Sequence, residues 1–337
     1  MRLWKPVIAA LVAGAILSLG TAAQADPVKL RMGWVVAGAD SPLLMFGKKG
    51  IAKHEGASYT LDAIHFQGTP TMITALATGE IDLAPLAFST LSIAVQNAGM
   101  TDLRIIADVF QDGVEGHYTN EYMVLKDGPI HSVEDMKGKI ATSNGAGSAV
   151  DMAMRAMFKK HGIEDKRDVT IVESGFPNMK AMLGEHKVDL MSGVRPFTAD
   201  PALRDIARTL FTQKDAIGRS QMIILTARAA FLAKNHDAVV DYLEDSLRAL
   251  HWYSDPANHD EAVKIVSDYS KMPASIFQSW LFTKEGDFFH DPNGTPDLDS
   301  LQRNIETQRD LGFLKGDLDA KKLADLSFVE EAAKRAK

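Results

Sequence analysis

Apolar positions along this chain follow two rhythms that take turns. Short runs of period two, or of unbroken hydrophobicity, alternate with stretches whose apolar residues fall three and four apart, the pattern of strands followed by helices. Val28-Lys29-Leu30-Arg31-Met32-Gly33-Trp34 alternates as a first strand. Asp40-Ser41-Pro42 opens a helix with a cap residue and an early proline, running through Leu43, Leu44 and Phe46 towards Ile51. A strand is expected at 59–66 and a helix from Thr69-Pro70 to Gly79. Then come a short buried strand at 81–84, the turn Ala87-Phe88-Ser89-Thr90, a helix to Gly99 and a strand at 103–109. Residues 111–120 hold two glycines and no apolar period, and read as a crossover.

A second series begins at 121–125. It continues with a helix at 132–136, strands at 139–142, 169–172, 188–191 and 222–226, and a helix at 178–183. Its clearest helix follows Ser143-Asn144-Gly145-Ala146-Gly147-Ser148: Val150, Met154, Met157 and Phe158 form one stripe, and Lys159-Lys160-His161-Gly162 ends it. After Ala229 the pattern turns wholly helical, at 238–250, 261–269 and more weakly around Ile276 and Leu301. Strands separated by helices imply βαβ units. The expected fold is α/β, with two lobes of mainly parallel sheet flanked by helices and a helical tail returning to the first lobe. The expected boundaries are 26–118 with 228–337 for the first lobe and 119–227 for the second. The lobes would be joined by crossings at 111–122 and 219–228.

The first residues do not belong to that pattern. Arg2 and Lys5 precede an apolar run from Val7 to Leu19, and Ala23-Gln24-Ala25 is a small-x-small cleavage site. Residues 1–25 therefore read as a signal peptide, the run being too short for a good membrane span. Cleavage after Ala25 leaves 337 − 25 = 312 residues, and losing two cations takes the formal charge from −7 to −9. With no cysteine in the chain, the mature start lacks the residue a lipid anchor needs, and thiol nucleophiles and cysteine zinc sites are excluded. The expected product is periplasmic, released and monomeric. The acidic balance argues against nucleic acid or anionic membranes as partners.

Ligands in open α/β sheets collect at the carboxyl ends of strands. The segments there carry Trp34, Ser41, Gln67, Thr69, Phe88, Ser89, Thr90, Ser143, Asn144, Gly147, Ser148, Phe176, Arg195 and Phe197. Trp34 and Phe88 either wall a ligand or belong to the core. Ser41, Ser89, Thr90, Ser143 and Ser148 each also have a capping role that needs no ligand. The glycine-rich turn at 143–148 sets free N–H groups and a positive dipole end under small hydroxylated residues, which suits an anion. Arg195, followed by Pro196 and Phe197, either grips a carboxylate or sulfonate with its planar fork or pairs with Asp200 or Asp205. No histidines stand in HxxxH or HxH pairs, so no zinc site is expected. Residues 291–299 resemble a calcium loop superficially, but two prolines and a missing terminal glutamate make them a turn. No GxSxG and no carboxylate pair announces catalysis, and no cofactor is implied.

Four stretches, in order, carry a family resemblance. They are Phe66-Gln67-Gly68-Thr69-Pro70 with Ala75-Leu76-Ala77-Thr78-Gly79-Glu80-Ile81-Asp82, then Ile130-His131-Ser132-Val133-Glu134-Asp135-Met136-Lys137-Gly138-Lys139, then Gly145-Ala146-Gly147-Ser148, and finally Leu311-Gly312-Phe313-Leu314-Lys315. The chain from about residue 28 to 329 resembles the periplasmic solute-binding proteins of nitrate, sulfonate and taurine ABC transporters, with the related binders of thiamine-pyrimidine precursors. The resemblance implies a two-lobe periplasmic binding protein fold of type II, closing on a ligand that is delivered to a membrane permease. Where many sulfonate binders carry a Trp-Asp-Pro-like turn, this chain has Val194-Arg195-Pro196-Phe197, which moves the expected ligand towards a carboxylate or sulfonate on a larger body, an aromatic one included. The rival readings are a binder of a pyrimidine precursor, an enzyme on the same fold, and a sensor component that presents its ligand to a receptor.

Overall fold

A computed structural model describes residues 26–37 and 39–336, without the side chains of Ser41 and Pro42. The expected signal peptide lies outside the described residues. The first sheet is built from β1 (Val28–Trp34), β2 (Tyr59–His65), β3 (Leu83–Ala87), β4 (Leu103–Asp112) and β10 (Ser220–Arg228), in the order β2-β1-β3-β10-β4. The second contains β5 (Glu121–Leu125), β6 (Lys139–Ser143), β7 (Val169–Glu173), β8 (Leu190–Gly193) and β9 (Ala207–Thr212), in the order β7-β6-β8-β5-β9.

Each sheet is mainly parallel, as expected, with one of its five strands reversed. β1 runs parallel to β2 and β3, while β10 runs antiparallel to β3 and β4. In the second sheet β6 is parallel to β7 and β8, and β5 is antiparallel to β8 and β9. The exception in each sheet is the strand that follows a crossing: β5 and β10 enter from the other sheet rather than through a βαβ unit of their own sheet, and each runs the other way. β10 is also an interior strand of the first sheet, between β3 and β4, and is buried along eight of its nine residues. It therefore belongs with the first lobe, whereas the expected boundary at 227 placed it in the second.

The crossings are residues 113–120, between β4 and β5, and 213–219, between β9 and β10. The second lies a few residues before the expected 219–228. The two run side by side. Gln213 N donates to Asn120 O at 2.8 Å, and Arg219 donates to Gln111 Oε1 at 2.6 Å.

Helices flank both sheets. α1 (Ser41–Leu44) is shorter than expected and continues as a 3-10 turn at Met45–Gly47. α2 (Thr69–Thr78) has proline in its first turn and Gly79 beyond its end at φ 74°, a left-handed conformation that glycine adopts without strain. α3 (Phe88–Gln96) follows β3, and α4 (Ala149–Lys160) follows the glycine-rich turn with Val150, Met154, Met157 and Phe158 all buried. α5 (Phe176–Gly184), α6 (Pro201–Ile206) and α7 (Gln213–Ile217) complete the second lobe and the return crossing. The tail is helical: α8 (Ala229–Lys234), α9 (His236–Tyr253), α10 (His259–Ser270), α11 (Leu298–Asp310), α12 (Ala320–Leu323) and α13 (Ser327–Arg335).

Tail helices pack on the first sheet. One core lies between the first sheet and the helices α1, α9, α10 and α13, around Tyr59, Tyr242, Trp280 and Phe328. The other runs without interruption from the opposite face of the first sheet into the second, joining Phe88, Leu91 and Phe110 to Tyr122, Met154 and Met191. The two sheets are thus held in contact, with little space left between them.

Candidate functional site

The space that does remain between the sheets forms two adjoining hollows. The inner one, about 70 Å³, is walled mainly by apolar groups, including Val36, Phe110, Val150, Met222, Ile223 and Phe288. Its polar lining is sparse: Asp40, Thr69, Asn120, Asn144, Ser148 and Arg195. The outer one, about 350 Å³, is lined by Trp34, His65, Phe66, Gln67, Phe176 and Phe197, among others. They meet at Val35, Val36 and Phe176, which border both. A small polar-edged chamber opening onto a larger aromatic vestibule can take a ligand with a compact head and an apolar body.

Arg195 follows β8 and enters the inner chamber from the second lobe. It makes no ion pair within 4 Å among the described residues, so the alternative of a surface pair with Asp200 or Asp205 does not hold. Asp200 is held by Lys180 at 2.6 Å, and Glu121 is engaged by Arg204 through two nitrogens. Arg195 lies instead against two aromatic rings, 4.4 Å from the centroid of Tyr118 and 5.1 Å from that of Trp280. Its Nε is buried and donates to no protein acceptor. Burial weighs against its charge and lowers its pKa. A half-buried guanidinium with an open donor beside a cavity has the chemistry to pair with an anion.

The glycine-rich turn behaves differently from expectation. Gly147 N does not face a ligand; it donates to Asp151 Oδ2 at 2.9 Å. Asp151, fully buried in the first turn of α4, also accepts from Arg155 Nε at 3.0 Å and lies 3.5 Å from Ser143 Oγ. The helix end is thus satisfied by a carboxylate of its own chain. Ser148 accepts from Asp151 N at 3.3 Å as the N-cap, yet its side chain still borders the inner chamber. Gly147, at φ 77°, touches the other lobe: a Cβ there would come within 2.9 Å of Ile93 Cδ1.

Thr69, Asn144, Ser148, Phe176 and Arg195 come together at the inner chamber, and Trp34, Gln67, Phe176 and Phe197 at the vestibule. Phe176 and Phe197 stack with centroids 6.0 Å apart, while Trp34 packs against His65 at 4.4 Å. Phe88, Ser89 and Thr90 do not join them. Phe88 is core, and Thr90 Oγ1 closes onto Ala87 O at 3.0 Å, because the first turn of α3 faces the inter-sheet core. Ser89 Oγ is buried there without a partner. Ser143 is buried against Asp151, and the Ser41 side chain lies outside the described residues.

Two polar residues of the chamber escaped the sequence reading. Asp40, taken as a helix opener, accepts from Val35 N at 2.8 Å and Val36 N at 3.0 Å, closing the turn after β1. Burial pushes its carboxyl up to about 6, against the pull of those two donors. Asn120 sits in the first crossing, where no periodicity singles it out.

Residues 291–294 form a turn, with Asp291 Oδ1 accepting from Asn293 N and Thr295 N. Elsewhere His54, Asp241 and Glu244 converge, but Arg335 and Arg248 already engage the two carboxylates, so the group is an ion-pair network.

Two sheets with a polar-edged chamber between them and two chain crossings at one side define the periplasmic binding protein fold. The chain belongs to the NMT1-like family, whose model matches residues 23–267. Among curated proteins no sequence matches it. Solved structures similar to it include the alkanesulfonate-binding protein SsuA from Xanthomonas axonopodis pv. citri bound to MOPS, 17% identical, covering 90% of this chain and 100% of that one, with a TM-score of 0.71. The nitrate-binding protein NrtA from Synechocystis PCC 6803 is 16% identical over 92% of this chain and 89% of its own, with a TM-score of 0.71. The ligand-binding component of an ABC-type import system from Staphylococcus aureus, with zinc bound, is 16% identical over 90% and 99%, with a TM-score of 0.70.

Proposed function

We propose that this chain is the solute-binding component of an ABC importer, and that it captures a small organic anion between its two lobes. The observation that carries the reading is Arg195: a half-buried guanidinium, its Nε buried and without a carboxylate partner, lining a cavity between the two sheets. The anionic head, a carboxylate or sulfonate, sits against Arg195, and the apolar body extends into the vestibule beside Trp34, Phe176 and Phe197. The small inner volume supports this division, since it holds a head group and little else. The site is one of binding rather than catalysis. Its polar atoms are amides, hydroxyls and a guanidinium, and its one carboxylate, Asp40, is engaged by the turn that carries it. The similar structures named for sulfonate, nitrate and ABC import support the same class. Export after Ala25, a periplasmic location, a monomeric state and a membrane permease as partner complete the reading.

The test is a thermal-shift screen of the mature chain with nitrate, taurine, alkyl- and arylsulfonates, phthalates, benzoates and formylaminopyrimidine. A binder present at 100 times its dissociation constant adds about 2.7 kcal/mol of stability. The expected hit is a carboxylate or sulfonate whose shift disappears in Arg195→Ala. A hit among neutral compounds only, or a shift untouched by Arg195→Ala, would overturn the reading.

A further inference from the structure

Asn120 links the chamber to the crossings. Its N–H donates to Asp112 Oδ2 at 2.8 Å, its carbonyl accepts from Gln213 N at 2.8 Å, and its Nδ2 donates to Gln213 Oε1 at 3.2 Å. Gln213 in turn places its Nε2 3.1 Å from Ser220 Oγ and 3.2 Å from Met222 Sδ. The thioether only accepts, so it fixes which end of the Gln213 amide is nitrogen, and hence which end of the Asn120 amide is oxygen. That oxygen, Asn120 Oδ1, is buried and accepts nothing from the protein, and its residue is fully buried in the chamber wall. Asn144 Oδ1, from the glycine-rich turn, is a second buried acceptor without a partner in the same wall.

A carboxylate or sulfonate oxygen cannot satisfy either amide oxygen, because acceptors repel one another. We propose that the occupant is an organic anion that also carries a hydrogen-bond donor, a hydroxyl, amine or amide N–H, and that Asn120 Oδ1 receives it. The inference rests on the anion reading above and gives the ligand its orientation: anion towards Arg195, donor towards the crossings. A ligand that lacks the donor strips water from the amide oxygen and replaces it with nothing. Sites built around a buried polar partner therefore reject the analogue that lacks the matching group.

Calorimetry with matched pairs tests it: taurine against ethanesulfonate, 4-hydroxybenzoate against benzoate, and lactate against propionate. The wild-type chain is expected to bind the donor-bearing member of at least one pair roughly tenfold tighter or more. Asn120→Leu is expected to bring that ratio within about threefold, and Arg195→Ala to weaken both members alike. The wild-type comparison decides the matter even if Asn120→Leu does not fold. If both members of every binding pair bind within about threefold, the donor requirement is wrong and the anion reading stands. If none of the six binds and the anion selected by the screen carries no hydroxyl, amine or amide N–H, the donor requirement is likewise wrong and the anion reading stands.

Discussion

At the scale of single residues, two charges in the second lobe, Asp151 fully buried and Arg195 half-buried, have opposite situations. Asp151 is satisfied within its own lobe: Gly147 N–H and the Arg155 guanidinium converge on it, and Arg155 is held in turn by Asp165 at 2.6 Å. Removing that carboxylate leaves a half-buried guanidinium and a buried N–H short of their acceptor, so Asp151→Ala should cost about 3 kcal/mol of stability, read by urea unfolding. It should leave anion affinity largely unchanged, because the Gly147 donor points away from the chamber. Arg195 is the reverse. Truncation should barely alter unliganded stability, since its cation–π contacts contribute only about 0.5–2 kcal/mol and its desolvation is unfavourable. Affinity for the best anion of the screen should fall by roughly thirtyfold to several thousandfold. Arg195→Lys should lie between, keeping the charge and losing the planar fork. Ser148→Ala should cost about 1 kcal/mol, as the loss of a neutral cap. Calorimetry in which Arg195→Ala binds within about twofold of the parent would make Arg195 a strut between lobes rather than a receptor.

At the scale of elements, the crossings carry a pH dependence. Asp112 ends β4, fully buried, and accepts from Thr119 Oγ1 at 2.6 Å and Asn120 N at 2.8 Å. Burial outweighs those donors and pushes its carboxyl up to about 7. Asp287, beside Tyr118 in the tail, is raised to about 7 by the same cause. A raised folded pKa means that the folded chain holds a proton the unfolded chain has already lost. The stabilisation is therefore complete below the ordinary carboxylate range, declines as pH rises, and is gone above about 7. His290 works the other way, because burial lowers it to about 4 and its contribution is lost as pH falls through that value. A comparison of variants isolates the first effect. Asp112→Asn mimics the protonated form, with an N–H in place of the O–H facing Thr119. Its melting temperature relative to the parent should improve from pH 5 to about pH 7 and level off above it, and a pH-independent difference would show that Asp112 is ionised throughout.

The same elements show how far the pattern of residues can be read. α4 was legible because its four-residue stripe meets a deep core, and their common position at the carboxyl ends of strands put the glycine turn and Arg195 in one neighbourhood. β9 escaped notice because it is an edge strand, half-buried, with Arg208, Thr209 and Thr212 among its six residues and little apolar alternation. β10 was seen as a strand but assigned to the wrong sheet, since its hydrophobic run reports burial on both faces and not which neighbours provide it. The donors of Gly147 were misread because an acidic residue in a first helical turn ordinarily faces solvent, whereas Asp151 turns inward. Asn120 gave no signal at all: its importance comes from Gln213, 93 residues away, and from the cavity behind it.

At the scale of the whole molecule, what holds the lobes together determines what closing requires. Besides the crossings, Gly147 meets Ile93 of α3, and Arg195 bridges from the second lobe to Trp280 in the tail of the first and Tyr118 in a crossing. Phe313, also of the tail, lies 5.7 Å from the Arg155 guanidinium. Each of these contacts is weak, of order 1 kcal/mol, but the core that runs between the sheets adds to them, so opening about the crossings separates packed apolar surface, and a ligand touching both lobes supplies further affinity for the closed arrangement. Two observables follow. The closed chain from Asp26 onwards should have a radius of gyration near the compact value for its length, about 20 Å. Solution scattering should show a larger radius without anion and a decrease at saturation. Opening also withdraws Arg195 from the face of Trp280, whose ring is otherwise buried, so tryptophan emission should change on anion binding through Trp280 as well as through Trp34 in the vestibule, and the Trp280 part should vanish in Trp280→Phe. That variant should still show the scattering response, because one cation–π contact does not decide the hinge equilibrium. An unaltered radius at saturating anion would mean that the lobes are fixed in the closed arrangement and that ligands enter through the vestibule alone.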